Sequence, residues 1–252
     1  AQLDLVTSYI NDWINQSRSL LEYTASLPQV RSMDSVQQQT ILEELVLHHT
    51  MAYLAFIVDP HGENIARSDN LPAMNYRERR YVNEVQQDKI FAQQLLIGHT
   101  TKKPALVLAV PIYSTNPQSE GVGVLAMAMD LAEMTERVID LQVGKTGHAH
   151  LLDESGRLII ERNFDAADFL SDRSNHPGLN LGQKQRAASI VALDSHDVDG
   201  HEVQSITSSR QTDNGWYLVI AEDYDDAYAQ VKQAGRRNLL LFLAAILASI
   251  VA

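Results

Sequence analysis

Apolar residues at Val6, Ile10, Trp13, Leu20 and Leu27 recur at close to helical spacing among Asn, Gln, Ser and Arg, until Pro28 interrupts the run. The pattern predicts a long N-terminal helix with one apolar stripe facing a partner. A second helix is expected from near Asp34, whose carboxylate can cap the first turn while Gln37 reaches back, with Ile41, Leu42, Leu45 and Val46 as its apolar face. This helical lead-in, residues 1–50, suits either a dimer stalk or a cover packed on its own domain. After His49 the period changes to that of strands. The stretch "AYLAFIVDPHGENIARSD" reads as two strands joined by a turn at Asp59, Pro60, His61 and Gly62.

The same pattern is then written again. In "HAHLLDESGRLIIERN" an apolar strand runs into Asp153, two residues follow, then Gly156 and a second apolar strand. The later segments echo one another as well: "PALVLAVPIY" with "GVGVLAMAMDLAEM" forms a strand pair ending in an acid and a helix, as does "HEVQSITSSR" with "GWYLVIAEDYDDAY". The order predicts an α+β chain of two tandem modules, each an antiparallel sheet with a helical cover, over residues 51–138 and 139–235. The break between them is expected near Asp140 to Gly147.

At the end of the sequence, an apolar run over residues 239–252 follows Arg236 and Arg237. It is shorter than the ~20 residues that cross a bilayer, but it is apolar all round and begins beside charges able to snorkel to headgroups. Residues 236–252 are therefore read as the start of a transmembrane helix rather than a core helix. Composition narrows the rest. With 252 residues, 45% of them hydrophobic, the chain can bury a sizeable core. A formal net charge of -12 excludes a general nucleic-acid surface, and the absence of Cys excludes disulfides and thiolate metal sites.

The long N-terminal helix, the two strand–Asp-x-x-Gly–strand units, the Arg-x-Tyr segment after the first, "GHAHLLDESGRLI" opening the second, and "NGWYLVIAEDYDDAY" before an apolar run together resemble a double Cache domain. The resemblance covers nearly the whole chain. It implies two PAS-like modules on a long helix, forming the extracytoplasmic sensory part of a transmembrane chemoreceptor, histidine kinase or cyclic-dinucleotide enzyme. It further implies a domain facing the periplasm or cell exterior, a membrane partner through the C-terminal helix, a homodimer through the N-terminal one, and no catalysis in this region. The membrane-distal module is the one expected to hold a small organic acid or amino acid.

Within "YRERRYVNEV" the resemblance assigns Arg79 to a ligand carboxylate and Tyr81 to the aromatic wall of the pocket. A guanidinium suits that task because it is always charged and presents paired, planar donors to two oxygens. Arg77 and Arg80 are expected to be solvated, and Arg79 itself has an ion-pair alternative. The amino-acid-binding subset of the family has Trp-Tyr after the Arg, where this chain has Tyr81 and Val82, and "LLIGHTTKKPAL" supplies no further tyrosine. Asp130 matches that subset's closing acid, yet it also fits an N-cap completed by Glu133. Tyr53, Tyr76, His99 and Tyr113 complete the candidate pocket groups.

A rival chemistry is metal-dependent hydrolysis, since His148 and His150 share a strand face near Asp153, and "HDVDGHE" adds His196, Asp197, Asp199, His201 and Glu202. No H-E-x-x-H, G-x-S-x-G, P-loop or dinucleotide fingerprint accompanies them, and the second cluster reads as a polar loop. No metal or cofactor is assigned. The membrane reading carries its own test: a chain ending at Gly235 is expected to keep its cooperative thermal transition and gain solubility, and losing the transition would make the apolar run part of the core.

Overall fold

The computed structural model describes residues 2–99, 101–114, 121–139, 146–162, 167–176, 178–179, 190–198, 201–229 and 232, with backbone only along 190–198 and 201–203 and at 2, 121, 133 and 139. Two compact units divide the chain: a first unit, Asp12–Met134, and a second, Ala1–Asn11 with Thr135–Ala252. Residues 12–50 thus belong to the same unit as the first sheet.

Helix α1 spans Gln2–Ser26, and Pro28 opens the short α2, Pro28–Arg31. The buried positions of α1 are Leu3, Thr7, Ile10, Ile14, Ser17, Leu21 and Thr24, with Trp13 and Ala25 beside them. The interval alternates four and three, so the buried stripe is rotated from the one read through Val6, Leu20 and Leu27, which are half-buried. Its polar members explain the difference. Thr7, Ser17 and Thr24 each donate a hydroxyl hydrogen to a carbonyl one turn back, at Leu3, Trp13 and Leu20 (2.8, 2.7 and 2.8 Å), and so enter the interior with no unmet donor. Helix α3, Ser35–His48, starts at Asp34, whose carboxylate accepts from the Val36 N–H at 2.9 Å and from the Gln37 side-chain amide at 3.0 Å.

The first unit holds strands β1 (Ala52–Val58), β2 (Asn64–Arg67), β3 (Ala92–Ile97), β4 (Pro104–Tyr113) and β5 (Gly121–Asp130), with α4 (Arg80–Gln86) between β2 and β3. Helix α5, Ala132–Ile139, follows. The second unit holds β6 (His148–Leu152), β7 (Leu158–Glu161), β8 (Ile190–Val198), β9 (His201–Gln211) and β10 (Tyr217–Asp223). The sheets run β2-β1-β5-β4-β3 and β7-β6-β10-β9-β8, so both carry one strand order, and their ladders are antiparallel. The fold is α+β and PAS-like, as read. Strands β3 and β8 were not read. His196 and Asp197 lie on β8, in place of the polar loop expected there, while His201 and Glu202 open β9, the strand read from "HEVQSITSSR".

Each sheet begins with the same turn. Asp59 Oδ1 accepts from the N–H groups of His61 and Glu63 at 2.8 and 2.9 Å, and Asp153 Oδ1 from those of Ser155 and Arg157 at 2.9 and 2.8 Å. Gly62 and Gly156 both take φ of +80°, a conformation that favours glycine, and a Cβ on Gly62 would fall 2.6 Å from the Arg77 nitrogen. Asp153 also takes both arms of the Arg157 guanidinium, Nε at 2.7 Å and Nη2 at 2.6 Å. Trp216 is buried in the second unit, and Asp140 to Gly144 of the expected break lie outside the described residues. Among the described residues no helix is long and apolar enough to cross a membrane, and residues 239–252 are not among them.

Asp153 is 1% exposed and meets four donors, so Asp153→Ala is expected to destabilise the second unit by about 2–4 kcal/mol. Asp59 is partly exposed, and Asp59→Ala should cost the first unit less than half as much. Urea titration followed by amide exchange in β6 and in β1 separates the two.

Candidate functional site

One face of the first sheet is apolar, built from Leu54, Phe56 and Val58 of β1, Val107 and Ala109 of β4, and Val124, Ala126 and Ala128 of β5. Helix α4 lays Tyr81, Val82 and Val85 on that face. The segment entering α4 brings Tyr76 flat over Phe56, ring centroids 4.4 Å apart, while Tyr81 meets Phe56 edge-on at 6.4 Å. These rings, with Tyr53, Arg79, Leu96, Gly98 and His99, line a cavity of about 30 Å³. The ladder of β1 with β5 slips between Ala52 and Leu54, and the slip lets Tyr53 reach the same cavity as Leu54. His99 is exposed and stands at the mouth.

Arg79 is the last extended residue before α4 (φ −79°, ψ 129°), and its N–H donates to the Tyr76 carbonyl at 2.9 Å. It is half-buried, and among the described residues its guanidinium makes no hydrogen bond or ion pair. Its neighbours differ. Arg77 and Arg80 are exposed, and Arg80 donates to the Gln93 carbonyl at 3.2 Å and lies 4.0 Å from Glu84.

The three phenols are all held neutral. Burial raises the Tyr53 hydroxyl, a hydrogen bond with Thr101 works against it, and the Asp130 charge adds to the rise. Burial also raises Tyr76, opposed by the Arg67 charge, and it pushes Tyr81 far above the usual phenol range. Neutral phenols donate, so the lining combines O–H donors with one cation and suits an anion.

Five of the seven candidate residues therefore come together: Tyr53, Tyr76, Arg79, Tyr81 and His99. Asp130 sits one pleat beyond Ala128 on β5, and its Oδ1 accepts from the Ala132 N–H at 2.9 Å, as the N-cap reading of α5 requires. The Glu133 side chain lies outside the described residues. Tyr113 is 54% exposed at the far end of β4 and lines a different cleft of about 300 Å³, with Arg31, Ile90 and Pro111.

Arg67 was missed. At the end of β2 it is 4% exposed, and its Nε and Nη2 grip Asp69 Oδ1 and Oδ2 at 2.7 and 2.8 Å. Its Nη1 donates to the Tyr76 hydroxyl at 3.2 Å, and that hydroxyl donates in turn to the Met74 sulfur at 3.9 Å, so Arg67 fixes the ring over the cavity. Burial raises Asp69, but the Arg67 contact outweighs this and holds its carboxyl below the usual value. The signal available in the sequence was "ARSD": an Arg on an otherwise apolar strand needs a partner, and an acid stands two residues on.

Of the metal constellation, His148 and His150 do meet, but Asp153 is consumed by its turn. Among the described residues no group of three or more His, Asp or Glu could hold a metal ion. The side chains of His196, Asp197, His201 and Glu202, and Asp199 entirely, fall outside them.

The walls carry one further constraint. Gly98 is closely approached: a Cβ there would stand 2.6 Å from Thr101 Oγ1 and 2.7 Å from the Tyr53 hydroxyl oxygen, so either would have to shift.

Paired sheets of one strand order, one of them roofed by a guanidinium and phenols, define a tandem PAS-like ligand-binding module. The chain belongs to the double Cache family, whose model, described as a Cache domain, matches residues 1–231. Such domains are the non-enzymatic, extracellular ligand-binding parts of membrane receptors. The methyl-accepting chemotaxis protein McpA of Pseudomonas putida is 27% identical over 145 residues, which are 57% of this chain and 21% of that protein, so the match spans about a fifth of the relative's length. The ligand-binding domain of Mlp24 with asparagine superposes at a TM-score of 0.71 and 16% identity, over 91% of this chain and 92% of that one. The sensor domain of the Vibrio cholerae histidine kinase DctB gives a TM-score of 0.65 at 18% identity, over 88% and 94%.

The geometry separates a buried, paired arginine from a half-buried one whose guanidinium is unpaired among the described residues. Arg67→Met strands the Asp69 carboxylate and is expected to cost about 2–4 kcal/mol, whereas Arg79→Ala should change stability by less than about 1 kcal/mol. Urea denaturation of both variants checks the contrast.

Proposed function

We propose that the chain is the ligand-sensing region of a transmembrane signalling receptor, with a small carboxylate-bearing metabolite held in the first unit by Arg79. The observation that carries this reading is the Arg79 guanidinium, half-buried at a cavity of neutral phenols and paired with nothing among the described residues. Tyr81 and Tyr53 wall the body of the ligand, and Tyr76, held in place by the Arg67 hydrogen bond to its hydroxyl, adds its ring to the wall. Asp130, next along β5, and His99 at the mouth are the groups within reach of a ligand's far end, and asparagine in the Mlp24 structure is consistent with that ligand size. In this reading the first unit is membrane-distal, the second transmits, residues 239–252 begin the membrane span, and α1 pairs two copies. The sensor faces the periplasm or cell exterior. Its output, a histidine kinase, a chemoreceptor or a cyclic-dinucleotide enzyme, lies outside these residues.

A ligand-free spacer is the second reading, and the size of the cavity favours it. A volume of about 30 Å³ holds roughly two waters, or a carboxylate, but not a whole amino acid. Ligand entry therefore requires α4 and the turn carrying Gly98 and His99 to move apart, and the ligand shifts that balance only by its preference for the open arrangement.

A thermal-shift screen of organic acids and amino acids distinguishes the two, because a ligand at a hundred times its Kd adds about 2.7 kcal/mol of stability. For a hit, calorimetry should show Arg79→Ala weakening binding at least about thirtyfold, and Arg77→Ala and Arg80→Ala by less than about threefold. Binding to a folded Arg79→Ala protein as tight as to the parent would sink the assignment, and an empty screen would leave the spacer.

A further inference from the structure

The two units match in more than strand order. In each, β1 or β6 slips against its hairpin partner just before the turn, between Ile57 and Val58 and between Leu151 and Leu152. Each return segment then starts with a bridge, Glu63 to Asn75 and Arg157 to Asp172. The N–H of Tyr76 donates to the Gly62 carbonyl and that of Arg173 to the Gly156 carbonyl, both at 2.8 Å. Three residues on, the N–H of Arg79 donates to Tyr76 and that of His176 to Arg173, at 2.9 and 2.8 Å. Hydrogen bond by hydrogen bond, Tyr76 therefore corresponds to Arg173 and Arg79 to His176. Across the hairpins, Phe56 faces Arg67 as His150 faces Glu161.

The position that is a ligand cavity in the first unit is thus a histidine cluster in the second. His150 meets His148 edge-on at 4.9 Å and His176 at 5.3 Å between ring centroids, and its Nδ1 lies 3.3 Å from Glu161 Oε2. Arg173 reaches the other Glu161 oxygen at 3.5 Å. The remaining neighbour of β6 is β10, which sets the uncharged Val219 opposite His150 and Ala221 opposite His148. Among the described residues, then, the ionisable groups around His150 are two imidazoles, one guanidinium and one carboxylate that the guanidinium already engages. His176 Nδ1 accepts the Gly178 N–H at 3.1 Å, and His148 Nδ1 lies 3.2 Å from the Thr146 carbonyl, so the outer rings are anchored to the backbone.

We infer that the second unit carries a sensing site of its own, centred on His150, and that its ligand is the proton. The inference does not depend on Arg79 or on any ligand in the first unit. Burial, followed by His148, His176 and Arg173, pushes His150 down to about 3. An arrangement in which the return segment lifts off and wets the ring restores the ordinary value of about 6.5. The closed arrangement refuses a proton that the open one binds, so acidification below about pH 6.5 favours opening and alkaline conditions favour closure. Between pH 7.5 and 5.0 a single such proton multiplies the open-to-closed ratio by about thirty.

The test is an NMR pH titration of the whole chain, following the imidazole of His150 and the amides of 148–152 and 172–176, with the amides of Tyr81 and Val82 as the first-unit reference. The segments 148–152 and 172–176 are expected to shift or broaden together between pH 6.5 and 5.0, and the reference amides to stay in place. His150→Phe, which installs the residue found at the matching position of the first unit, should remove the transition, as should His150→Gln if the Phe variant does not fold. The proposal is overturned if the His150 ring titrates at or above its ordinary value with 172–176 undisturbed, or if folded variants keep the acid transition.

Discussion

Everything that positions chemistry in this chain hangs on one carboxylate per sheet. Asp59 and Asp153 each gather two backbone N–H groups and hold a glycine at φ of +80°, and the carbonyl of that glycine then receives the N–H of the returning segment. The acid fixes the turn, the turn fixes the glycine carbonyl, and the carbonyl fixes where the next side chains stand over the sheet. In one unit those are Tyr76 and Arg79, and in the other Arg173 and His176. The backbone device is constant, and the side chains it presents are free to differ.

Two arginines of the first unit show how burial sorts charge. Arg67 is enclosed, and its cost is met inside the protein by a two-armed grip on Asp69 and a hydrogen bond to Tyr76. Arg79 is only half enclosed, and among the described residues its donors are uncommitted. A deeply buried cation that lacked such a partner would deprotonate its surroundings or distort the fold. One at a cavity rim can wait for an anion while water screens it.

The hairpins were legible because their determinants are local: an acid, two residues and a glycine between apolar runs can be recognised without knowing the rest of the chain. The Asp34 cap and the stop at Pro28 are legible for the same reason. Strands β3 and β8 were not, and both stand at sheet edges, where one side is open and polar residues such as those of "LDSHDV" are tolerated. The stripe of α1 was misplaced because Thr7, Ser17 and Thr24 count as polar in a sequence but hide their hydroxyls on their own helix. Of the pocket groups, Arg79 and Tyr81 came from the family likeness rather than from any periodicity, and Tyr53, Tyr76 and His99 were named beside them as polar candidates. Arg67 escaped because a buried charge is betrayed only by its partner, and the match between Phe56 and His150 becomes visible only once the ladders are in register.

Gly98 bears on how such domains diverge. Its φ is not in the left-handed region, so the backbone there would accept alanine, and a methyl group would have to displace the Tyr53 hydroxyl and Thr101 Oγ1, which stand where it would go. The cavity wall is thus partly an absent atom. One added carbon at this position would push the Tyr53 hydroxyl and Thr101 from their places in the wall while leaving Arg79, the sheet and the turn untouched, and the reverse substitution would let them return. The shape of such a cavity can then change through the side chains at its rim while the scaffold beneath them stays the same.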